Sequence, residues 1–151
     1  PLGFSEAGRE FMYGKIIPIF KEKGFGVLDP WVLTPQSMID DTLSLDYGLE
    51  KKYAWKRLNR VIGANNKFAI ERSDGIFAVL DGTDVDSGTA SEIGFGYGLG
   101  KKILGYRGDF RLSADNEGSI VNLQVEYFIN DSGGKIITEL SDLEKEIEIF
   151  R

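Results

Sequence analysis

The chain has 151 residues, of which 42% are hydrophobic, and its 18 basic and 24 acidic side chains give a formal net charge of -6. This size and composition fit one folded domain with a real core, and the acidic balance argues against general nucleic-acid binding. The chain contains no cysteine and no histidine. Disulfides, thiolate catalysis and Ser-His-Asp or Cys-His catalysis are therefore excluded.

The N-terminal part of the chain predicts a helix and then a short strand. Ser5 is placed to cap a helix that runs to about Lys23, with a kink expected at Pro18 and an end at Gly24. Residues 25–28 are predicted to form a strand. A further strand is expected before residue 1 and is absent from the sequence, which suggests a truncated or unresolved N-terminus.

The rest of the chain alternates short apolar strands with helices. A loop is predicted at 29–46, a helical region at 47–72 with a break at Gly63, and a polar loop at 107–118. Strands are predicted at 76–80, 103–106 and 135–138, with helices around Glu92, at 122–128 and from a capping box at 141–144. This alternation predicts one α/β domain over residues 1–151, with a mostly parallel sheet covered on both faces. Because we find no signal peptide or long apolar span, we expect a cytoplasmic protein without membrane contact.

Residues 81–101 carry the strongest functional signal. They directly follow the predicted strand 76–80, gather Asp81, Asp84 and Asp86 into a Gly-rich loop, and place Glu92 in the first turns of an apolar helix. Active sites of open α/β folds lie at this carboxyl edge of the sheet, where a helix N-terminus also stabilises carboxylates. The pattern predicts a carboxylate-based catalytic site with Glu92 as nucleophile or base. The alternative, in which these acids are only helix caps and solvated turn residues, stays open at this point.

The glycines at 94, 96, 98 and 100 do not form a nucleotide-binding motif. Their spacing differs from the Gly-x-Gly-x-x-Gly fingerprint, and Lys102 stands where a phosphate-binding loop needs Ser or Thr. We expect them instead to allow close helix packing, with Gly100 as the C-cap.

Several motifs, in order along most of the chain, resemble the nucleoside 2-deoxyribosyltransferase family. They are Pro1-Leu-Gly-Phe-Ser5, residues 74–82 and 86–94, Asp109-Phe-Arg111, Asp115-Asn-Glu117 and Asn122-Leu-Gln124. The resemblance implies a flavodoxin-like three-layer sandwich that lacks its first strand here. It implies exchange of the base of a 2′-deoxynucleoside through a covalent deoxyribosyl ester, in nucleotide salvage, without cofactor or metal. It also implies a homo-oligomer, at least a dimer, with a shared active site and with a deoxynucleoside and a free nucleobase as substrates.

The resemblance implies roles for individual residues. Glu92 matches the nucleophile that attacks the anomeric carbon, and Asp86 matches the carboxylate that helps to hold the sugar. Asn122 matches an asparagine that a neighbouring subunit lends to the sugar 5′-hydroxyl. Other substrate contacts are expected from Phe4, in the aromatic loop that lines the pocket, and from Asp81 and Gly88.

Asn66 departs from the family pattern. It stands where the family has the aspartate that meets the base, and an amide cannot deliver an acidic proton. Base protonation would then come from another acid or from water.

Two other functions stay open. A sister family with the same Glu-centred site hydrolyses 2′-deoxynucleoside 5′-monophosphates and needs a phosphate pocket, for which Ser5, Arg9 and the first helix's amides are candidates. Asn122 suits a free 5′-hydroxyl, which favours the transferase. The third function is a non-catalytic nucleotide-binding module, and Asn66 is its main support.

Overall fold

A computed structural model describes residues 5–112 and 114–151. The backbone divides into two compact units, one formed by residues up to 27 together with 73–151 and the other by residues 28–72. The assignment of the whole chain to a single domain stays a prediction.

The first unit contains a three-stranded, all-parallel sheet in the order β1-β2-β3, formed by β1 (Gly75–Val79), β2 (Lys102–Tyr106) and β3 (Lys135–Ile137). Parallel strands need crossover connections. Helix α5 (Ser87–Gly98) lies between β1 and β2 in the chain, and α6 (Leu123–Asp131) lies between β2 and β3. This arrangement confirms the predicted flavodoxin-like α/β fold with a parallel sheet.

Apolar side chains cover both faces of this sheet, because successive strand residues point to opposite sides. One face packs against α5 and α6 through a cluster that includes Ala78, Leu80, Ile93, Ile103, Val125 and Ile129. The opposite face packs against the N-terminal and C-terminal helices through Ile16, Phe20, Leu104, Tyr106, Ile137, Leu143 and Ile147. The unit therefore has three layers.

The N-terminal helix is continuous but changes its winding. It comprises α1 (Glu6–Phe11), a π-helical turn at Met12–Ile16 and α2 (Ile17–Glu22). Ser5 caps it as expected, since its Oγ accepts the Gly8 N–H at 3.0 Å. Pro18 lacks an N–H for the usual helical bond, and the expected distortion takes the form of the π turn before it. Gly24, at φ 82°, lies just beyond the helix end.

Three predictions for residues 25–72 are wrong. Residues 25–28 form no strand: the Phe25 N–H donates back to the Phe20 carbonyl instead. The predicted loop 29–46 contains α3 (Gln36–Ser44), whose N-cap residue is Pro35. Helix α4 (Leu49–Arg72) runs through Gly63 unbroken, because one glycine costs only about 1 kcal/mol relative to alanine.

The C-terminal segment is helical as expected, but most of it is 3-10 helix rather than α-helix. A 3-10 turn at Leu140–Asp142 leads into α7 (Leu143–Glu146), and a second 3-10 turn follows at Ile147–Phe150. No side chain caps α7, so the predicted capping box at 141–144 is wrong. Among the helices described, none has the length and apolar character needed to cross a bilayer.

Candidate active site

Two loops meet where β1 and β2 end. Val79 pairs with Tyr106 at the last register position, so residues 80–86 and 107–111 leave the sheet side by side. Asp81 joins the two loops: its Oδ1 accepts the N–H groups of Gly108 at 2.7 Å and Asp109 at 3.0 Å. Asp81, expected from sequence to contact substrate, therefore also positions the backbone of the second loop.

Arg107 makes the complementary connection. Its side chain is almost fully buried, and its guanidinium donates to the carbonyls of Leu80 at 2.6 Å, Gly82 at 3.2 Å and Arg111 at 2.8 Å. A buried cation is costly unless its donors are satisfied, and here carbonyl oxygens of both loops satisfy them. Sequence reasoning missed Arg107. The available signal was a charged residue placed directly after a buried strand.

Asp109 and Arg111 form a fork at the tip of the second loop. Arg111 Nε lies 2.9 and 3.1 Å from the two Asp109 carboxylate oxygens, and its Nη2 also bonds to Oδ2. The Gly82 N–H donates to the same Oδ2 at 3.2 Å. The Arg111 guanidinium holds the pKa of the Asp109 carboxyl well below its usual range, and Asp109 raises the pKa of Arg111. The pair is therefore ionised at neutral pH.

The two loops enclose an open cleft of about 780 Å³. Its described lining is polar except for one side chain, and consists of Asp81, Gly82, Thr83, Asp84, Asp86, Gly108, Asp109, Phe110 and Arg111. Four carboxylates face one guanidinium here, so the cleft is acidic. Within the described residues, no group of three or more His, Cys, Asp or Glu side chains is arranged to hold a metal ion.

Three of the carboxylates have one oxygen engaged and one available. Backbone N–H groups donate to a single oxygen of each: Gly108 and Asp109 to Asp81 Oδ1, Val85 to Asp84 Oδ1, and Gly88 and Thr89 to Asp86 Oδ2. The second oxygen of each accepts no hydrogen bond within the described part of the chain. An anchored carboxylate with a spare oxygen is suited to accept a hydrogen bond from a hydroxyl group of a ligand.

Asp86 and Glu92 belong to the same element. Asp86 is the N-cap of α5, since its Oδ2 accepts the amides of Gly88 at 3.1 Å and Thr89 at 3.2 Å. Glu92 follows six residues later and is half-buried, next to the fully buried Ile93. The predicted nucleophile is thus on the helix that starts in the acidic cleft, but it is not among the residues that line the cleft.

Two expectations for the glycines of α5 differ in outcome. Gly100 lies at φ 73° just after the helix, as a C-cap glycine should. At Gly94 a Cβ would lie 3.6 Å from Phe128, which is an ordinary contact, and Gly98 faces open space, so the expectation that these glycines are needed for close packing is wrong.

Asn122 is the N-cap of α6 and is not part of the two loops that line the cleft. Its Oδ1 accepts the amides of Gln124 at 3.0 Å and Val125 at 3.3 Å, and Asp115 accepts the Leu123 amide at 2.7 Å. The following exposed side chains include Leu123 and Tyr127.

The other two predicted site residues are Asn66 and Phe4. Asn66 is half-buried within α4, in the unit formed by residues 28–72. Phe4 lies outside the described residues.

Comparison with known proteins identifies the family. The sequence profile described as nucleoside 2-deoxyribosyltransferase matches residues 1–124. No curated protein matches the chain. Among solved structures, a conserved protein from Enterococcus faecalis is similar in fold, with a TM-score of 0.60 and 20% sequence identity over 99% of this chain and 93% of that one. The profile match covers most of the chain, and the chain belongs to the nucleoside 2-deoxyribosyltransferase family.

Proposed function

We propose that this protein transfers the 2-deoxyribosyl group from one nucleobase to another through an ester on Glu92. One observation carries the proposal: α5 begins in the acidic cleft with Asp86 as its N-cap and bears the half-buried Glu92 six residues later. Family membership supports chemistry at the glycosidic bond of a nucleoside. A carboxylate is the group that can stabilise an oxocarbenium-like transition state and then capture it.

In the first step, a Glu92 carboxylate oxygen forms a bond to the anomeric carbon as the bond from that carbon to the base nitrogen breaks. The electron pair of the broken bond leaves with the base, which takes up a proton. Asn66 cannot supply that proton because an amide is not an acid, so water is the donor we assign. In the second step, a nitrogen of the incoming base attacks the same carbon and loses its proton, and the carboxylate leaves. Two displacements retain the configuration of the sugar.

Asp86 is assigned to the sugar rather than to the attack. Its Oδ2 is engaged by two backbone amides, which leaves Oδ1 to accept a hydrogen bond from a sugar hydroxyl. This position at the start of α5 also places the side chain where the loop of residues 80–86 lines the cleft.

The nucleotide hydrolase is supported less well by the same cleft. A 5′-phosphate would meet four carboxylates and a single guanidinium that Asp109 already binds. At the other candidate phosphate site, α1 has only six residues. An acidic cleft favours an uncharged ligand that donates hydrogen bonds, as a nucleoside does.

We also propose that the site is completed by a second copy of the chain, which lends Asn122. The exposed Leu123 and Tyr127 beside it would give such a contact an apolar surface.

The deciding experiment incubates the protein with a 2′-deoxynucleoside and an isotopically labelled second base. We expect labelled deoxynucleoside in the product. Free base without labelled nucleoside would identify a hydrolase, and unchanged substrates with all pairs of bases would identify a binding module. Glu92→Gln is the matched variant, because it keeps the shape of the side chain and removes the nucleophile.

A further inference from the structure

Phe110 is the one apolar side chain among the described residues that line the cleft, and it is 94% exposed. A single exposed apolar residue needs no explanation by itself. The position of this one matters, because every other described lining residue is polar or glycine.

Hydrogen bonds fix the backbone on both sides of Phe110. On one side, Asp109 accepts the Gly82 N–H, and its own N–H donates to Asp81. On the other, the Arg111 N–H donates to Asp109 Oδ1 at 3.0 Å, and the Arg111 carbonyl accepts from Arg107. The aromatic ring is therefore carried on a turn that is ordered before any ligand binds, which lowers the entropy cost of contact with a ligand.

The rest of the described cleft lining is polar or glycine, in contrast to the apolar ring of Phe110. Asp81, Asp84 and Asp86 each present a carboxylate oxygen without a hydrogen bond from the described residues. A ligand that matches the whole cleft must offer hydroxyl donors to these oxygens and a flat apolar face to Phe110. A sugar joined to a heteroaromatic base has both features.

We infer that Phe110 is a specificity-determining residue that stacks on the nucleobase while the acidic side of the cleft holds the sugar. This rests on the proposed function, because it takes the substrate class from it. Stacking depends little on which base is present, since every base has a π-face. Phe110 would therefore favour deoxynucleosides over a base-free sugar without choosing between purines and pyrimidines.

Binding measurements on the full-length chain test the inference. Titration calorimetry would use Glu92→Gln protein, to avoid turnover, with 2′-deoxyadenosine, thymidine and 2-deoxyribose as ligands. Adding Phe110→Ala should weaken binding of both nucleosides roughly five- to a hundredfold, the range of base–aromatic stacking, and leave the affinity for 2-deoxyribose unchanged. Phe110→Tyr should restore nucleoside binding. Leu112→Ala is the control, because Leu112 is equally exposed in the same loop but does not line the cleft.

Two results would overturn the inference: wild-type nucleoside affinity in Phe110→Ala, and an equal loss of affinity for 2-deoxyribose. If the affinity is unchanged and the sedimentation coefficient is altered, Phe110 belongs to a contact between copies of the chain. Base exchange is assayed separately. If the wild-type protein shows no exchange but nucleoside binding depends on Phe110, only the proposed function is refuted. If exchange occurs and Phe110→Ala does not change it, only this inference is refuted.

Discussion

Asp81 and Arg107 hold each other's loops in place. The carboxylate of Asp81 accepts the two amides that follow Arg107 in the chain, and the guanidinium of Arg107 donates to the two carbonyls that flank Asp81. Each charged side chain thus binds the backbone around the other, and the two loops of the cleft are tied in both directions.

Replacing Arg107 by methionine should destabilise the fold. Three carbonyl oxygens would lose their donor in a buried setting, at a cost of about 2–4 kcal/mol in the free energy of unfolding. The free energy of unfolding of Arg107→Lys should lie between those of Arg107→Met and the wild type, because an ammonium group can reach fewer of these oxygens. Urea denaturation measures the effect. Arg57→Met, at an exposed position of α4, is the control, and an equal effect of both substitutions would contradict the role assigned to Arg107.

Two substitutions at Asp86 separate its two roles. Asn is as good an N-cap as Asp, so Asp86→Asn should keep the stability of the fold and lose only the charge. Asp86→Ala should also lose the cap, at a cost of about 1 kcal/mol. If Asp86 holds the sugar, both variants lower base exchange substantially, and the covalent intermediate still forms in Asp86→Asn. Wild-type turnover in Asp86→Asn would refute the role in holding the sugar and leave Asp86 only as the N-cap of α5.

Glu92→Ala should abolish turnover and leave folding near normal. A 2-fluoro deoxynucleoside analogue should add the mass of one sugar to the wild-type protein, and peptide mapping should place that mass on Glu92. Glu22→Gln, in an exposed position of α2, is the control and should label like the wild type. A label on any other residue would rule out the assignment.

The ion pair of Asp109 and Arg111 predicts a pH dependence of stability. Arg111 lowers the pKa of the Asp109 carboxyl in the folded state, so the pair stabilises the fold fully above the unfolded-state pKa of about 3.9. This stabilisation is lost as the pH falls from there toward the folded-state pKa. The difference in urea midpoint between wild type and Asp109→Asn should therefore be largest near neutral pH and shrink below about pH 4. Asp46→Asn, at an exposed position, is the control for the loss of one surface charge. A difference that stays constant with pH would rule out the ion pair as its source.

Subunit mixing tests the shared site. Inactive Glu92→Ala protein and inactive Asn122→Ala protein should regain some activity when their subunits exchange, because one kind of mixed site holds both intact residues. Asn122 also caps α6, so loss of activity in the single variant could reflect the cap. Asn122→Asp, which preserves the cap, provides the control for stability. No recovery after proven exchange, or a fully active monomer in sedimentation, would refute the shared site.

The elements nearest the cleft could be predicted from the sequence because local signals were strong there. The apolar run predicted a strand at 76–80, within one residue of the observed 75–79, and Gly100 was predicted as a C-cap because glycine favours positive φ. Asp86 was expected to hold the sugar, and its cap of α5 was left as the alternative. Helix α3 was missed because its polar sequence, rich in Ser, Asp and Thr, has weak helix propensity. The strand expected at 25–28 was wrong because an apolar run becomes a strand only where a neighbouring strand accepts its hydrogen bonds.

Side-chain partners were harder to predict than elements. Asp81 was expected to meet a substrate, yet its partners in the structure are amides 27 and 28 positions later in the chain. Such pairs follow from strand register, which fixes the end of β1 against the end of β2 and is not visible in either segment alone. Arg107 had no role in the sequence argument for the same reason.

Gly105 in β2 is a position where we expect few substitutions to be tolerated. A methyl group at this position would lie 2.8 Å from Leu80 Cδ1 and 3.2 Å from both Ile129 and Ile136, all packed against one another under the sheet. Leu80 is fully buried and directly precedes Asp81 in the chain, so a side chain at position 105 would press on the residue next to the cleft. A saturation-mutagenesis library should therefore show Gly105 as intolerant as the residues of the cleft, while the exposed rim around Phe110 stays open to changes in substrate preference.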